Sequence, residues 1–156
     1  IICLIAELYE KSQKSRILLD SLKKVIDLGD RTSFTLRPRH TNTIFLCGEA
    51  ANAVVLPAAA SLPDGWTVMF VGHHATSATL TNTTTITGAG TNELIGHTVT
   101  GGDNQNRQLQ PQSPGVKDSV KLHTIAAQGD WVEITKIGSN FFVCGDSRIN
   151  NGLPMA

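Results

Sequence analysis

The chain has 156 residues, which is enough for one domain or for one small domain with an appendage. Only 17% of the residues are charged, 5% are aromatic, and the formal net charge is zero. A neutral chain has little long-range field with which to attract nucleic acid or an anionic membrane. We therefore expect neither a nucleic-acid partner nor membrane insertion.

The charges are unevenly distributed along the chain. Residues 1–40 carry eight Lys and Arg against five Asp and Glu, whereas residues 41–156 carry five against eight. We interpret both segments as ordinary solvated surface. A contrast of this size would also help neighbouring subunits to stack.

Residues 1–29 are predicted to form an N-terminal α-helix. Apolar residues recur at heptad-like spacing, although Lys11 and Ser15 interrupt the stripe. Gly29 is a natural helix stop. The helix is predicted to align copies of the chain or, alternatively, to cover one face of its own β-domain. The residues assigned to the helix seam are Leu8, Leu18, Leu22 and Val25.

Residues 30–146 are predicted to form an antiparallel β-domain, a sandwich or barrel of about eight strands. Alternating or apolar runs separated by Gly and Pro indicate the strands, and ten threonines between residues 73 and 100 suit a wet sheet face. The polar stretch 101–118 is predicted to be a loop, and residues 147–156 a C-terminal arm. The predicted core residues are Trp66, Phe70, Leu122, Trp131, Ile134 and Phe142.

The sequence contains no exact internal repeat. Two similar units, Gly65-Trp66 and Gly129-Asp130-Trp131, lie too far apart to indicate a solenoid.

No pattern of chemical groups predicts catalysis, a cofactor or a metal site. The five histidines lack a metal-binding spacing, and no phosphate-binding or nucleophile motif occurs. Most carboxylates lie beside Gly or Ser, where turns explain them. The three cysteines, Cys3, Cys47 and Cys144, have no CxxC spacing, and a bridge between Cys47 and Cys144 stays open as an alternative to reduced thiols.

The order of motifs in the last two thirds of the chain resembles small β-domains of tailed-phage fibre and surface proteins. The motifs are Leu56-Pro57-Ala58, then Gly65-Trp66-Thr67-Val68, then a Thr-rich section, and finally the hairpin from Gly129 to Gly145. The resemblance implies a virion structural protein without enzymatic activity, assembled in the host cytoplasm. It also implies a homotrimer that contacts other virion proteins.

Two other functions remain open at this point. A carbohydrate- or receptor-binding fibre tip, with a host surface glycan as partner, would need an exposed Trp beside acids and amides. The candidate residues are Trp66 with Asp64, and Trp131 with Asp130 and Asn140. A hydrolytic tailspike domain would need two carboxylates within about 10 Å across a groove.

Overall fold

Two facing β-sheets make up the computed structural model, which describes residues 23–90, 94–100, 108–111, 118–124, 126–148 and 155. Sheet A has seven strands in the order β1-β3-β5-β10-β11-β7-β8, and sheet B has four in the order β2-β4-β6-β9. The strands are β1 (Lys24–Asp27), β2 (Ser33–Thr35), β3 (Thr43–Cys47), β4 (Ala53–Val55), β5 (Thr67–Gly72), β6 (Thr84–Thr87), β7 (Leu94–Thr100), β8 (Gln108–Pro111), β9 (Ser119–Leu122), β10 (Trp131–Ile137) and β11 (Asn140–Ser147). The prediction of a mainly β fold is confirmed.

The sheets are mixed, so the prediction of a purely antiparallel domain is wrong. Strands β1, β3 and β5 run parallel in sheet A, and β2, β4 and β6 run parallel in sheet B. The reason is the path of the chain, which crosses to the opposite sheet after each of the first five strands. Successive strands of one sheet therefore run in the same direction.

The first six strands form three stacked coils, a solenoid-like arrangement that the sequence does not indicate. In sheet A, Lys24 pairs with Thr43 and Thr43 pairs with Val68, so the second step along the chain is longer than the first. In sheet B, Ser33 pairs with Ala53 and Ala53 pairs with Thr85, and the second step is again the longer one. Because the coils differ in length, the sequence contains no repeat of fixed period.

The β10–β11 hairpin extends this stack on one side. Strand β10 pairs antiparallel with β5, and β11 pairs antiparallel with β10 and parallel with β7. In sheet B, β9 pairs antiparallel with β6. The far side of each sheet is thus built by later segments, whereas β1 and β2 end the sheets at the other side.

One apolar core fills the space between the sheets. Phe45 and Phe70 stack with ring centroids 5.2 Å apart, and Phe34 reaches Phe45 across the core at 5.6 Å. Trp66 is 1% exposed, and its indole N–H donates to the Pro38 carbonyl at 2.9 Å. Burial of each such side chain contributes about 1.5–3 kcal/mol.

Four of the six predicted core residues are buried: Trp66, Phe70, Leu122 and Ile134. Trp131 is half-buried on the outer side of sheet A. The prediction for Phe142 is wrong, because this ring is 42% exposed and Phe141 is buried instead. Two adjacent phenylalanines give no alternation, so only the pairing of β11 with its neighbours decides which one points inward.

The predicted N-terminal helix is wrong over Lys24–Asp27, which forms β1. Backbone pairing with β3 outweighs the weak local helix preference of this segment. Val25 is 63% exposed in this strand and therefore does not lie in a helix seam. Leu8, Leu18 and Leu22 lie outside the described residues.

Two further segments differ from the prediction. Gln108–Pro111 forms β8 and pairs with β7, although the stretch 101–118 lacks the apolar pattern of a strand. Met155, in the predicted arm, is buried and bridges to Val120. In both cases pairing with a residue distant in the chain produces structure that the local composition does not predict.

Candidate functional site

The outer face of sheet A carries a group of apolar side chains. Strand register places alternate residues of β1, β3, β5, β10, β11 and β7 on this face, side by side across the sheet. Its apolar members are Val25, Ile44, Leu46, Met69, Val71, Ile95, Trp131, Ile137 and Phe142.

The apolar residues form rows that cross several strands. One row begins with Val25, Ile44 and Met69 on three parallel strands. The next passes through Leu46 and Val71 to Trp131. Both rows are continuous over neighbouring strands, so the apolar area is a patch rather than scattered single residues.

Three apolar side chains of the outer face stand well out into solvent: Val25 in the first row, and Ile137 and Phe142 beyond Glu133 and Thr135. The exposed fraction is 63% for Val25, 51% for Ile137 and 42% for Phe142. The other members are half-buried. Contiguous apolar area of this kind on a protein surface marks an interaction site.

A shallow depression lies within the face and is lined by residues of β3, β5 and β10 together with Lys23 and Asn42. Ile44 and Met69 form part of its wall, and Glu133 forms another part. The depression thus combines apolar side chains with one cation and one anion.

Six polar side chains that the structure describes share the face with the apolar ones: Asp27, Thr67, Glu133, Thr135, Asn140 and Asp146. The hydroxyls of Thr67 and Thr135 lie 3.1 Å apart on adjacent strands. Three of the six are carboxylates: those of Asp27, Glu133 and Asp146. Because they sit in different positions along the rows, they divide the patch without removing its apolar character.

The structure does not join Trp66 and Asp64 in an exposed site. The indole of Trp66 is buried in the core, so its ring faces are not available to a sugar. The Asp64 carboxylate is exposed and binds the β10–β11 hairpin instead, accepting from Lys136 Nζ and from the Gly138 N–H at 2.9 Å each. Lys136 lowers the pKa of Asp64, and the Gly138 N–H contributes in the same direction.

Trp131, Asp130 and Asn140 are not brought together either. Trp131 begins β10, and Asn140 pairs with Ile137 at the other end of that strand, about 20 Å away at the usual rise per residue. Asp130 is 2% exposed and accepts hydrogen bonds from the Ala127 N–H and the Ser147 hydroxyl at 2.8 and 2.7 Å. This buried carboxylate fixes the turn that enters β10.

The two described cysteines are free and lie on opposite sides of sheet A. Cys47 is buried in the core, and its thiol donates to the Val71 carbonyl at 3.6 Å. Cys144 is exposed on the outer face, where it neighbours Glu133. No disulfide therefore joins Cys47 and Cys144.

Among the side chains that the structure describes, no group of three or more His, Cys, Asp and Glu could hold a metal ion. In the same part of the chain no helix combines the length and apolar character needed to cross a membrane.

The apolar outer face is a site that the sequence analysis does not predict, although the sequence carries a signal for it. Ile44-Phe45-Leu46-Cys47 and Val68-Met69-Phe70-Val71 are continuous apolar runs rather than alternating ones. Continuous runs are typical of strands that are covered on both faces.

Comparison with models of protein families finds no match, and comparison with curated proteins finds no similar sequence.

Proposed function

We propose that the protein is a structural, non-enzymatic subunit of a tailed-phage particle that works by associating with copies of itself. The apolar outer face of sheet A carries the proposal of self-association. The motifs from Leu56 to Gly145 support the phage assignment, as a fibre, head-decoration or tail-associated subunit. Its partners would then include other virion proteins, and its location would be the particle assembled in the host cytoplasm.

Burial of the outer face supplies the driving force for association. Covering an exposed Val, Ile or Phe side chain is worth about 1.5–3 kcal/mol before the costs of association. Val25, Ile137 and Phe142 are the most exposed apolar members, so they gain most when a partner covers the sheet.

A closed symmetric assembly fits a subunit that has one such face. Each copy offers the same sheet, and cyclic symmetry covers every copy without leaving a free apolar surface. The resemblance to fibre domains favours a homotrimer, with the three outer faces turned towards a common axis. Such an assembly would have to keep Asp27, Glu133 and Asp146 of neighbouring copies apart, because like charges brought together in an interface are costly.

The burial of Trp66 supports a structural role over glycan recognition by that side chain. A lectin-like site needs an exposed ring for stacking, and this indole is 1% exposed. Its N–H is satisfied by Pro38, which ties the corner before β5 to the corner before β3. The residue thus contributes to the rigidity expected of a building block.

Native mass spectrometry and sedimentation of the 156-residue chain test the proposal. We expect a trimer with three times the monomer mass of 16.7 kDa. Replacing Ile44, Met69 and Val71 together by Thr keeps strand-forming side chains but removes apolar contact on each copy, and should weaken association about 100-fold or more.

The matched control is Val55→Thr, which changes a 38% exposed valine on the outer face of sheet B. This variant should associate as the parent chain does. Circular dichroism establishes that both variants keep the β fold. A parent chain that remains a clean monomer at micromolar concentration, or equal loss of association in both variants, would contradict the proposal.

A further inference from the structure

Strands β1 and β2 form one side of the coil stack. These strands end sheet A and sheet B respectively, and within the described part of the chain no strand pairs with their outer edges. We call this surface the open end, defined by β1, β2 and the side chains of Arg31, Arg37, Arg39 and His40. The edges of β1 and β2, each paired in parallel with one neighbour, are a template for a further strand.

The backbone of each edge presents hydrogen-bonding groups outward at known residues. The amides of Lys24 and Leu28 donate to β3-side carbonyls at 3.2 and 2.9 Å, so in the alternating ladder Val25 and Asp27 direct their backbone groups away from β3. In β2, Leu36 donates to Val55 and Thr32 accepts from Ala53, at 2.9 Å each. Ser33 and Thr35 therefore direct their groups away from β4.

Aromatic side chains form the centre of the open end. Phe34 is only partly buried, although it packs against the core. The His40 ring stacks on it with centroids 5.5 Å apart, and the Arg31 guanidinium lies 5.5 Å from the same ring. The partly exposed edge of Phe34, flanked by His40 and Arg31, is thus the apolar element of the open end.

Cations surround this centre. Burial is the main cause that lowers the pKa of His40, and nearby positive charges lower it further. These charges belong to Arg39, Arg37 and Lys24, so the three cations lie within electrostatic range of one ring. Between residues 23 and 40 there are five Lys and Arg against two Asp.

We propose that the open end binds an acidic, extended segment of a different polypeptide, which adds a strand beside β1 or β2. A polypeptide backbone can pair with the hydrogen-bonding groups of the edges, and carboxylates are attracted by the cations. Two copies of this chain would bring their cations together at such a junction, which disfavours pairing of one open end with another. A nucleic acid would match the charge but leave the edges unpaired.

The proposed junction uses the backbone edges of β1 and β2 rather than the side chains of the apolar outer face, although Val25 of β1 contributes to both, and it concerns a different kind of partner. Lateral association of copies through sheet A would leave the ends of the coil stack accessible. The inference therefore goes beyond the proposed self-association, and each can fail without the other.

Fluorescence anisotropy with the full chain tests the inference. The probe is a labelled synthetic peptide of about ten residues in which Glu and Val alternate, which is long enough to span either edge. We expect saturable binding that weakens as salt is added, because exposed charges contribute to it. Arg37→Glu combined with Arg39→Glu should weaken binding about tenfold or more, since both contacts turn from attraction to repulsion.

Two controls separate strand addition from simple charge attraction. The same peptide with alternate backbone amides N-methylated keeps its charge but loses donors, and should bind about tenfold more weakly or worse. Lys121→Glu, on β9 at the opposite edge of sheet B, should leave binding unchanged.

Several results would overturn the inference. These are absence of binding by the acidic peptide, equal binding of the N-methylated peptide, or tighter binding of a single-stranded oligonucleotide of equal charge. Loss of self-association in the Arg37→Glu, Arg39→Glu variant would also overturn it, because the occupant would then be another copy of the chain. Circular dichroism of this variant establishes that the exposed substitutions leave the fold intact.

Discussion

Sheets A and B contribute side chains of the same kind to the shared core, but their outer faces differ in chemistry. The outer face of sheet B presents small and polar residues: Ser33, Thr35, Ala53, Val55, Thr85, Thr87 and Lys121. The outer face of sheet A presents Ile, Leu, Met, Val, Trp and Phe in the corresponding rows. Hydroxyls suit contact with water, whereas an aliphatic and aromatic surface is stabilised only when something covers it.

The difference indicates that this sequence provides more apolar surface suited to burial than the isolated subunit buries. The Thr-rich strand β6 alternates cleanly, with Thr84 and Ile86 inward and Thr85 and Thr87 outward. Strand β5 alternates between fully and partly buried residues, but from Val68 to Val71 both sets are apolar. Sheet A therefore carries the composition of a two-sided sheet, and sheet B that of a one-sided sheet.

The largest expected effect separates the two sides of one strand. Phe70→Ala removes a fully buried ring that stacks on Phe45, and should lower the free energy of unfolding by about 3–5 kcal/mol. Met69→Ala, one position away on the outer face, should lower it by about 1 kcal/mol or less in the dissociated chain. Urea denaturation at concentrations where sedimentation shows monomer measures both values.

An equal loss of unfolding free energy in Phe70→Ala and Met69→Ala would contradict the assignment of these residues to the inner and outer faces. Met69→Ala should instead act on assembly. In the associated protein the unfolding midpoint depends on concentration, and this dependence should weaken in Met69→Ala because less apolar area is covered.

A smaller contrast is expected between the two thiols of sheet A. Burial raises the pKa of Cys47 to about 12 from the ordinary value of 9.0, so this thiol should not react with a thiol reagent at neutral pH until the chain unfolds. Cys144 should react readily in the dissociated chain and more slowly as the outer faces associate. A Cys3→Ser background limits the reaction to these two residues.

The raised pKa of Cys47 also predicts a pH dependence of stability. The folded state favours the neutral thiol, so its contribution is complete below pH 9.0 and is lost as pH rises towards about 12. Cys47→Ala should lack this loss when unfolding is followed across the same window. Rapid labelling of Cys47 in the folded chain would contradict its placement in the core.

The contrast between the sheets can be foreseen only in part from the sequence. Apolar runs and turn residues predict β3, β5 and β10, because these signals are local. Local patterns do not predict strand direction, because the alternation of side chains is identical in parallel and antiparallel pairs. The unequal steps from Lys24 to Thr43 and from Thr43 to Val68 conceal the stacked coils.

The same limit applies to individual site residues. The sequence places Trp66 both in the core and on an exposed ligand surface, and the choice between them depends on the Pro38 carbonyl, which is distant in the chain. Asp130 is a candidate surface ligand because it lies in a turn, yet its carboxylate accepts from Ser147 at the end of β11. Long-range contacts of this kind leave no mark on local composition.

The smallest expected effect concerns Lys136, a charged side chain that sheet A turns inward. Lys136 is 8% exposed, and its ammonium reaches the exposed Asp64 carboxylate, which also binds the Gly138 N–H. These partners lower the pKa of Asp64 below its ordinary value of 3.8. The carboxylate therefore stabilises the fold above about pH 4, and this contribution is lost as pH falls through the lowered pKa. The effect should be small because Asp64 is screened by solvent.

Asp64→Asn isolates this contribution, since the amide oxygen can still accept from Gly138 but carries no charge to pair with Lys136. The stability difference between the parent chain and this variant should be constant near neutral pH and should shrink on acidification, as the parent carboxyl becomes neutral. Denaturant midpoints measured at a series of acid pH values give this difference directly. If the stability difference between the two chains did not change with pH, the ion pair would contribute nothing to stability. The inward position of Lys136 would then depend on the hydrogen bonds of its backbone with Gly65 and Trp66.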